Sequence, residues 1–167
     1  MMLPLGQSAA NRPRAIEVVS ESLRTPVSSG IPAPFAPAAA SFREVWLEHN
    51  VRMRGHNGLV IHSHIIVTDR VKIKCRVEAY FYDATNNKQI PAAPGSPNSS
   101  SAGTAAVWRD IKPGFTSTEY KDFQIFVPTT TFHALPKGSH DLKIIVYVES
   151  ENQVIGRSGE NAFTLTL

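Results

Sequence analysis

A strict alternation of apolar and polar residues between positions 73 and 82 constrains this chain more than any other feature. One row of the segment is apolar throughout, whereas the other row is charged and aromatic. The apolar row contains Ile73, Cys75, Val77, Ala79 and Phe81, and the other contains Lys74, Arg76, Glu78, Tyr80 and Tyr82. Successive side chains of a β-strand point to opposite faces, so this period of two predicts a strand with one face in a core. Cys75 is accordingly predicted to be a buried core residue.

The same period recurs on both sides of that segment. Two strands are predicted before it, over residues 42–49 and 59–67, joined by a turn over residues 54–58, in which Asn57-Gly58 can take positive φ at little cost. After it, Asp83 to Lys88 is predicted to form a turn into a short edge strand that ends at Ile90. Further strands are predicted over residues 104–110, 120–127, 140–149 and 162–167, with turns between them that include residues 156–161.

This pattern predicts an all-β fold. About seven or eight short strands, separated by Gly/Pro turns, favour an antiparallel β-sandwich, because a single flat sheet would leave its apolar faces in water. An immunoglobulin-like or C2-like Greek key is expected, and a jelly roll is the alternative that strand periodicity leaves open. One short helical turn is predicted over residues 129–135, where the chain crosses from one sheet to the other.

The N-terminal quarter of the chain differs in composition. Residues 1–41 are rich in proline, and residues 31–40 alternate proline with small residues, as an extended tether does. We therefore expect a flexible tail and linker over residues 1–41 and the sandwich over residues 42–167. Within the tail, residues 14–24 have the spacing of a short amphipathic helix, and residues 91–103 of the sandwich are predicted to form a mobile loop.

Charge and cysteine content limit the class of protein. The formal net charge of +3 is spread along the chain without a Lys/Arg run, so no nucleic-acid partner is expected. The single cysteine excludes an internal disulfide framework. No apolar run approaches the roughly 20 residues that cross a bilayer, and the N-terminus lacks the pattern of a signal peptide. We therefore expect a cytoplasmic protein without membrane insertion, and leave open whether the chain is a fragment of a longer one.

Several segments resemble a known pattern. They are Gly58 to His62, Cys75 to Tyr82, Pro113 to Phe115, Tyr120 to Pro128, Phe132 to Leu135 and Gly138 to Lys143. Together they are similar to an uncharacterised bacterial β-sandwich accessory domain, across about residues 42–167. The resemblance implies a β-sandwich module carried beside other domains, and it implies no catalytic residues. The chain departs from the pattern in residues 91–103, and in Thr129-Thr130, where an aromatic residue is expected.

Candidate chemistry is sparse. His62 and His64 are two residues apart on a predicted strand, so both could ligate a metal if a neighbouring strand supplied a third ligand. No third ligand at a suitable spacing is identifiable, and this pair stays a weak candidate. The sequence contains no nucleophile elbow, phosphate loop or dinucleotide fingerprint. We expect no enzymatic activity, no catalytic residue and no cofactor, and the sequence identifies no small-molecule substrate.

Exposed aromatic side chains among basic residues give the remaining candidate site. The predicted interaction surface consists of Trp46, Lys74, Arg76, Tyr80, Tyr82 and Phe126. Aromatic residues and arginine are enriched in protein interfaces, so a protein partner or self-association is expected. The sequence therefore predicts a non-enzymatic interaction or accessory module, docked to a larger assembly or to itself. The alternatives are a shell or capsid-type subunit and a metal-dependent enzyme that uses His62 and His64.

Overall fold

The computed structural model describes residues 38–167, which form a two-layer antiparallel β-sandwich. Its eight strands are β1 (Ala39–Met53), β2 (His56–Thr68), β3 (Cys75–Asp83), β4 (Ala106–Ile111), β5 (Ser117–Pro128), β6 (Ser139–Ser150), β7 (Gln153–Arg157) and β8 (Asn161–Thr166). A single 3-10 turn, η1 (Thr129–Phe132), lies between β5 and β6. The predicted all-β sandwich is confirmed, and so is the helical turn before residue 135. Residues 14–24, which have the spacing of a short amphipathic helix, lie outside the described residues.

The strands are divided between two sheets. Sheet 1 has the order β1-β2-β5, and sheet 2 has the order β4-β3-β6-β7, with β8 also paired to β6. β7 pairs with the C-terminal part of β6, and β8 pairs with its N-terminal part, so these two short strands follow one another along one side of β6. At the break between them, Ser158 exchanges backbone and side-chain hydrogen bonds with Val146. The chain crosses between the sheets after β2, after β4 and after β5.

The core lies between the inner faces of the two sheets. The apolar row predicted for β3 is buried from Cys75 to Phe81, and it faces the inward row of β2, which includes Ile61 and Ile65. Phe132 of η1 is fully buried and packs edge-to-face on Phe81, with ring centroids 4.8 Å apart. The crossing from β5 to β6 is therefore anchored in the core by an aromatic pair.

The first hairpin shows how local residues fix the register. Arg54 and Gly55 form the two-residue turn between β1 and β2, and both have positive φ, at 50° and 84°. Such a turn matches the twist of the flanking strands. The turn predicted over residues 54–58 therefore forms at Arg54-Gly55, whereas Asn57 and Gly58 belong to β2 and do not have the positive φ expected of them. Gly58 is needed there for another reason, since a Cβ would overlap the backbone oxygen of Val127 and press on the Phe126 ring.

Strand β7 was not predicted, because Gly156 was interpreted as a turn residue. Its φ is not positive, and a Cβ on Gly156 would overlap the backbone of Ala40 in β1. Gly156 thus permits β7 to pack closely against β1 and joins the two sheets on that side. β1 itself begins at Ala39, three residues before the boundary predicted for the sandwich.

Residues 91–103, predicted to be a mobile loop, are held by specific hydrogen bonds. Bridges pair Pro91 with Thr104 and Ser99 with Ala105. The Asn98 side-chain amide donates to the buried Thr131 hydroxyl of η1 at 2.9 Å. The edge strand expected to end at Ile90 is reduced to one bridge between Gln89 and Tyr82, although Ile90 itself is buried.

Candidate interaction surface

The six residues of the predicted interaction surface do not form one surface. Four of them point outward from sheet 2, namely Lys74, Arg76, Tyr80 and Tyr82. The other two, Trp46 and Phe126, belong to β1 and β5 of sheet 1. The predicted surface is therefore divided between opposite sides of the sandwich. Strand periodicity correctly separates inward from outward side chains, but it does not show which strands share a sheet.

The outer face of sheet 2 carries a continuous cluster of aromatic residues and arginine, which we call the aromatic face. Its members are Arg76, Tyr80, Tyr82, Trp108, Tyr147 and Arg157, contributed by β3, β4, β6 and β7. Tyr80 and Tyr147 pack edge-to-face with ring centroids 5.8 Å apart. The Arg76 guanidinium lies 5.4 Å from the centre of the Trp108 ring. These cross-strand contacts hold the exposed rings in defined positions.

Trp108, Tyr147 and Arg157 were missed by the sequence reasoning. The signal for the first two was available, since both occupy outward positions in strands that were predicted. Tyr147 alternates with the buried Val146 and Val148 of β6. Arg157 could not be found in this way, because its strand β7 was interpreted as a turn.

Charged side chains at one end of the aromatic face pair with each other. Asp110 lies 2.6 Å from the Lys74 ammonium and 3.5 Å from the Arg76 guanidinium. The hydrogen bond from Lys74 lowers the pKa of Asp110, and the Arg76 charge adds to the effect. All three side chains are partly exposed, so these pairs contribute little to stability and mainly orient the side chains.

Burial changes the acidity of two groups at the centre of the face. Glu78 is only 6% exposed, and its burial raises the pKa of its carboxyl above the ordinary value. The neighbouring Tyr80 hydroxyl acts in the opposite direction and lowers the pKa of that carboxyl. Burial, together with the nearby Glu78 charge, raises the pKa of Tyr80 to about 12. Tyr80 is therefore a neutral hydrogen-bonding group at physiological pH.

At the other end, the aromatic face contains a shallow groove of about 460 Å³ between β6 and the turn after β3. Tyr82 and Tyr147 line it together with Lys143 and Arg157. The Lys143 ammonium donates to Glu160 at 2.7 Å, and this bond lowers the pKa of the Glu160 carboxyl. The neighbouring Tyr147 hydroxyl raises the pKa of Arg157. The groove offers aromatic surface beside paired charges.

On the opposite side of the molecule, His62 lies near the centre of sheet 1. Its Nδ1 is 2.7 Å from an oxygen of Asp122, and its Nε2 is 3.4 Å from Glu48. The Trp46 ring stacks on the imidazole, with centroids 4.9 Å apart and planes 12° from parallel. Gln124 donates to the second oxygen of Asp122 at 2.6 Å. Hydrogen bonds from His62 and Gln124 lower the pKa of Asp122.

His64 bonds a different carboxylate, because its Nε2 lies 2.7 Å from Glu119. That bond lowers the pKa of the Glu119 carboxyl. Within residues 38–167, no group of three or more His, Cys, Asp or Glu side chains is arranged to hold a metal ion. The two imidazoles thus share a face of β2 as predicted, but each is hydrogen-bonded to its own carboxylates.

Cys75 is 1% exposed, and its thiol lies 3.7 Å from the backbone oxygen of Ile73. The prediction that it is a core residue is confirmed.

A larger cavity of about 680 Å³ opens between the two sheets beside β8, and we call it the edge cavity. β1 and β2 form one wall, η1 and β5 contribute to the floor, and β8 forms the other wall. The lining residues are His49, Asn50, Asn57, Gly58, Leu59, Val127, Thr129, Phe132, Thr164, Leu165 and Thr166. None of them is acidic, a lysine or an arginine. The volume falls in the range of about 300–1,000 Å³ that is usual for ligand sites.

Comparisons with known proteins assign no family to the chain. No protein-family model matches the chain, and no curated protein matches it. Two crystal structures of a glycosyl hydrolase family 2 member from Bacteroides cellulosilyticus are similar to 76% of this chain, at 14% identity and TM-scores of 0.43 and 0.44. The chain spans about 15% and 14% of the length of those proteins. The described residues contain no helix long and apolar enough to span a membrane.

Proposed function

We propose that the sandwich is a non-enzymatic interaction module that binds a partner protein through the aromatic face of sheet 2. The observation that carries this proposal is the continuity of the face. Tyr80, Trp108 and Tyr147 come from three adjacent strands and are flanked by Arg76 and Arg157. Tyrosine, tryptophan and arginine are the residues that most often dominate the binding energy of protein interfaces.

The geometry of the face supports this role. Trp108 is 39% exposed, so its ring is available to a partner. The cation–π contact with Arg76 and the edge-to-face pair of Tyr80 and Tyr147 order these side chains before binding, which lowers the entropy cost of association.

The charges on the face favour a protein over a nucleic acid. The outward-pointing basic residues Lys74, Arg76, Lys143 and Arg157 are matched in number by Glu78, Asp110, Glu149 and Glu160. A phosphate backbone would be repelled by these carboxylates, and no unbroken basic track is present on this face. The partner is expected to offer apolar surface with both signs of charge at its rim.

Two finer assignments belong to this proposal. The first is that the sandwich is of immunoglobulin type rather than C2 type or a jelly roll. The strand order supports this, because a sheet of β1-β2-β5 packs against a sheet in which β3, β6 and β7 are neighbours and β4 lies beside β3. The second is that the domain serves as an accessory module of the uncharacterised bacterial family that its sequence resembles.

Two tryptophans on opposite sheets provide a matched test. Trp108 and Trp46 are 39% and 37% exposed, so replacing either with alanine removes a similar exposed ring. The full chain and both variants are used as bait in a crosslinking pull-down from the native host, and affinity is then measured for each recovered partner. Trp108→Ala should weaken binding by roughly 30-fold, or about 2 kcal/mol, and Trp46→Ala should leave it unchanged. Equal affinities for both variants would reject the aromatic face as the interface.

A further inference from the structure

The outer edge of β8 is unusually open to pairing. The edge strands β1, β4 and β5 all contain charged residues, whereas β8 (Asn161–Thr166) has neither a charged residue nor a proline. Natural sheets usually protect their edges with such residues, because unpaired backbone groups attract other strands. The neighbouring β7 is covered by the contact between Gly156 and Ala40. β8 therefore remains the uncharged part of this edge.

The pairing of β8 with β6 determines which of its backbone groups point outward. Gly138 and Leu167 exchange two backbone hydrogen bonds, at 3.2 and 2.9 Å, and the register continues from them without a break. Alternate pairs of an antiparallel ladder exchange hydrogen bonds, so every second residue of β8 turns its N–H and C=O away from β6. These residues are Ala162, Thr164 and Thr166. No strand among residues 38–167 pairs with that side of β8.

The outward backbone groups of β8 border the edge cavity. Thr164 and Thr166 lie on its wall, and the side chain of Leu165 between them points inward beside Phe132 of the floor. A strand laid along β8 would place its backbone opposite the two threonines. Its alternate side chains would enter the cavity and contact Leu165 and Phe132.

We infer that β8 and the edge cavity bind an extended, uncharged peptide segment of a partner protein by strand addition, with large apolar side chains at alternate positions filling the cavity. Unpaired backbone groups on alternate residues of a strand are complementary to another extended backbone. A lining without Asp, Glu, Lys or Arg favours an uncharged segment. A second copy fits less well. The inward side chains of its β8, such as Phe163, are already buried in its own core and could not fill the cavity.

This site is separate from the aromatic face, and it can be tested with a synthetic peptide and the full chain. The probe is a fluorescent peptide whose central six residues alternate leucine with threonine and match the length of β8. A lysine at each end of this segment keeps the peptide soluble. Thr164→Pro removes an outward backbone donor without removing a hydrogen bond to β6, so an edge strand should tolerate it. Thr164→Val is the matched control, because it keeps the N–H and removes only the hydroxyl that donates to Asp141.

The expected result is saturable binding that Thr164→Pro weakens at least tenfold, which is ~1.4 kcal/mol, and that Thr164→Val changes by less than about twofold. N-methylation of one alternating set of peptide amides should abolish binding, and methylation of the other set should not. This arm remains decisive if the proline variant fails to fold. Trp108→Ala should leave the peptide affinity unchanged, so failure of the proposed function and failure of this site are distinguishable.

Four outcomes would overturn the inference. The first is an affinity weaker than about 1 mM for the unmethylated peptide. The second is equal loss from both methylated peptides. The third is a dimer that Thr164→Pro dissociates and Thr164→Val does not, which would make a second copy the occupant. The fourth is slow hydrogen exchange of the Thr164 and Thr166 amides in the free monomer, which would assign the edge to another segment of the same chain.

Discussion

Replacing Phe132 with alanine is expected to remove a large part of the stability of the sandwich. Phe132 is the apolar anchor of η1, is fully buried, and packs edge-to-face on Phe81 of sheet 2. Its loss would leave a cavity beneath the crossing between the sheets, because β5 and β6 hold the ends of η1 in place and limit collapse.

The magnitude follows from burial and from the aromatic pair. A buried Phe→Ala substitution costs about 3–5 kcal/mol, and the edge-to-face geometry accounts for about 0.5–1.5 kcal/mol of that. Domains of this size are stable by about 5–15 kcal/mol, so Phe132→Ala should be severely destabilised but need not be unfolded. Phe115→Ala is the control, because that ring is 75% exposed and its loss should change stability by less than about 0.5 kcal/mol.

Urea unfolding monitored by tryptophan fluorescence gives both values, since Trp46 and Trp108 lie in opposite sheets. A double-mutant cycle with Phe132→Leu and Phe81→Leu should give a coupling of about 0.5–1.5 kcal/mol. A cost below about 1.5 kcal/mol for Phe132→Ala, or a coupling near zero, would show that η1 is not anchored by this pair.

Three further predictions concern titratable groups. In a spectrophotometric titration, one tyrosine should ionise near pH 12, and this transition should be absent from Tyr80→Phe. The stability that Tyr80 contributes is fully present below its ordinary pKa of 10.0 and is lost as the pH rises through about 12. Asp110 and Asp122 have lowered pKa values, so the stability they give is present above their ordinary value of 3.8 and is lost as the pH falls through the folded values, which acid unfolding can follow. His62→Ala should cost about 1–3 kcal/mol in urea unfolding, because it removes the stack on Trp46 and the bond to Asp122; no change would refute a structural role for His62.

The strands that could be predicted are those whose two faces differ chemically. The buried and outward rows of β3 follow directly from its sequence, because one face meets the core and the other meets water. β7 could not be predicted in this way. Gly156 is required by the close approach of Ala40, which is more than 100 residues away in sequence, and a local rule interprets such a glycine as a turn.

The candidate surface shows the same limit. The outward positions of Trp46 and Tyr80 follow from alternation, but their separation onto opposite sheets depends on the pairing of β1 with β2 and of β3 with β6. Such pairing is long-range and is not encoded in the period of either strand. The edge cavity is likewise formed by strands from both ends of the described chain, so no local pattern identifies it.

The central claim is that the aromatic face of sheet 2 contacts a partner protein, and site-specific photocrosslinking in the native host tests it most directly. A photoreactive phenylalanine analogue is placed at Trp108 or Tyr147 on sheet 2, and at Trp46 or Phe126 on sheet 1, in the otherwise unchanged full chain. We predict a discrete adduct from both sheet 2 positions and none from sheet 1. An adduct from the sheet 1 positions alone, or none from any position, would contradict the claim.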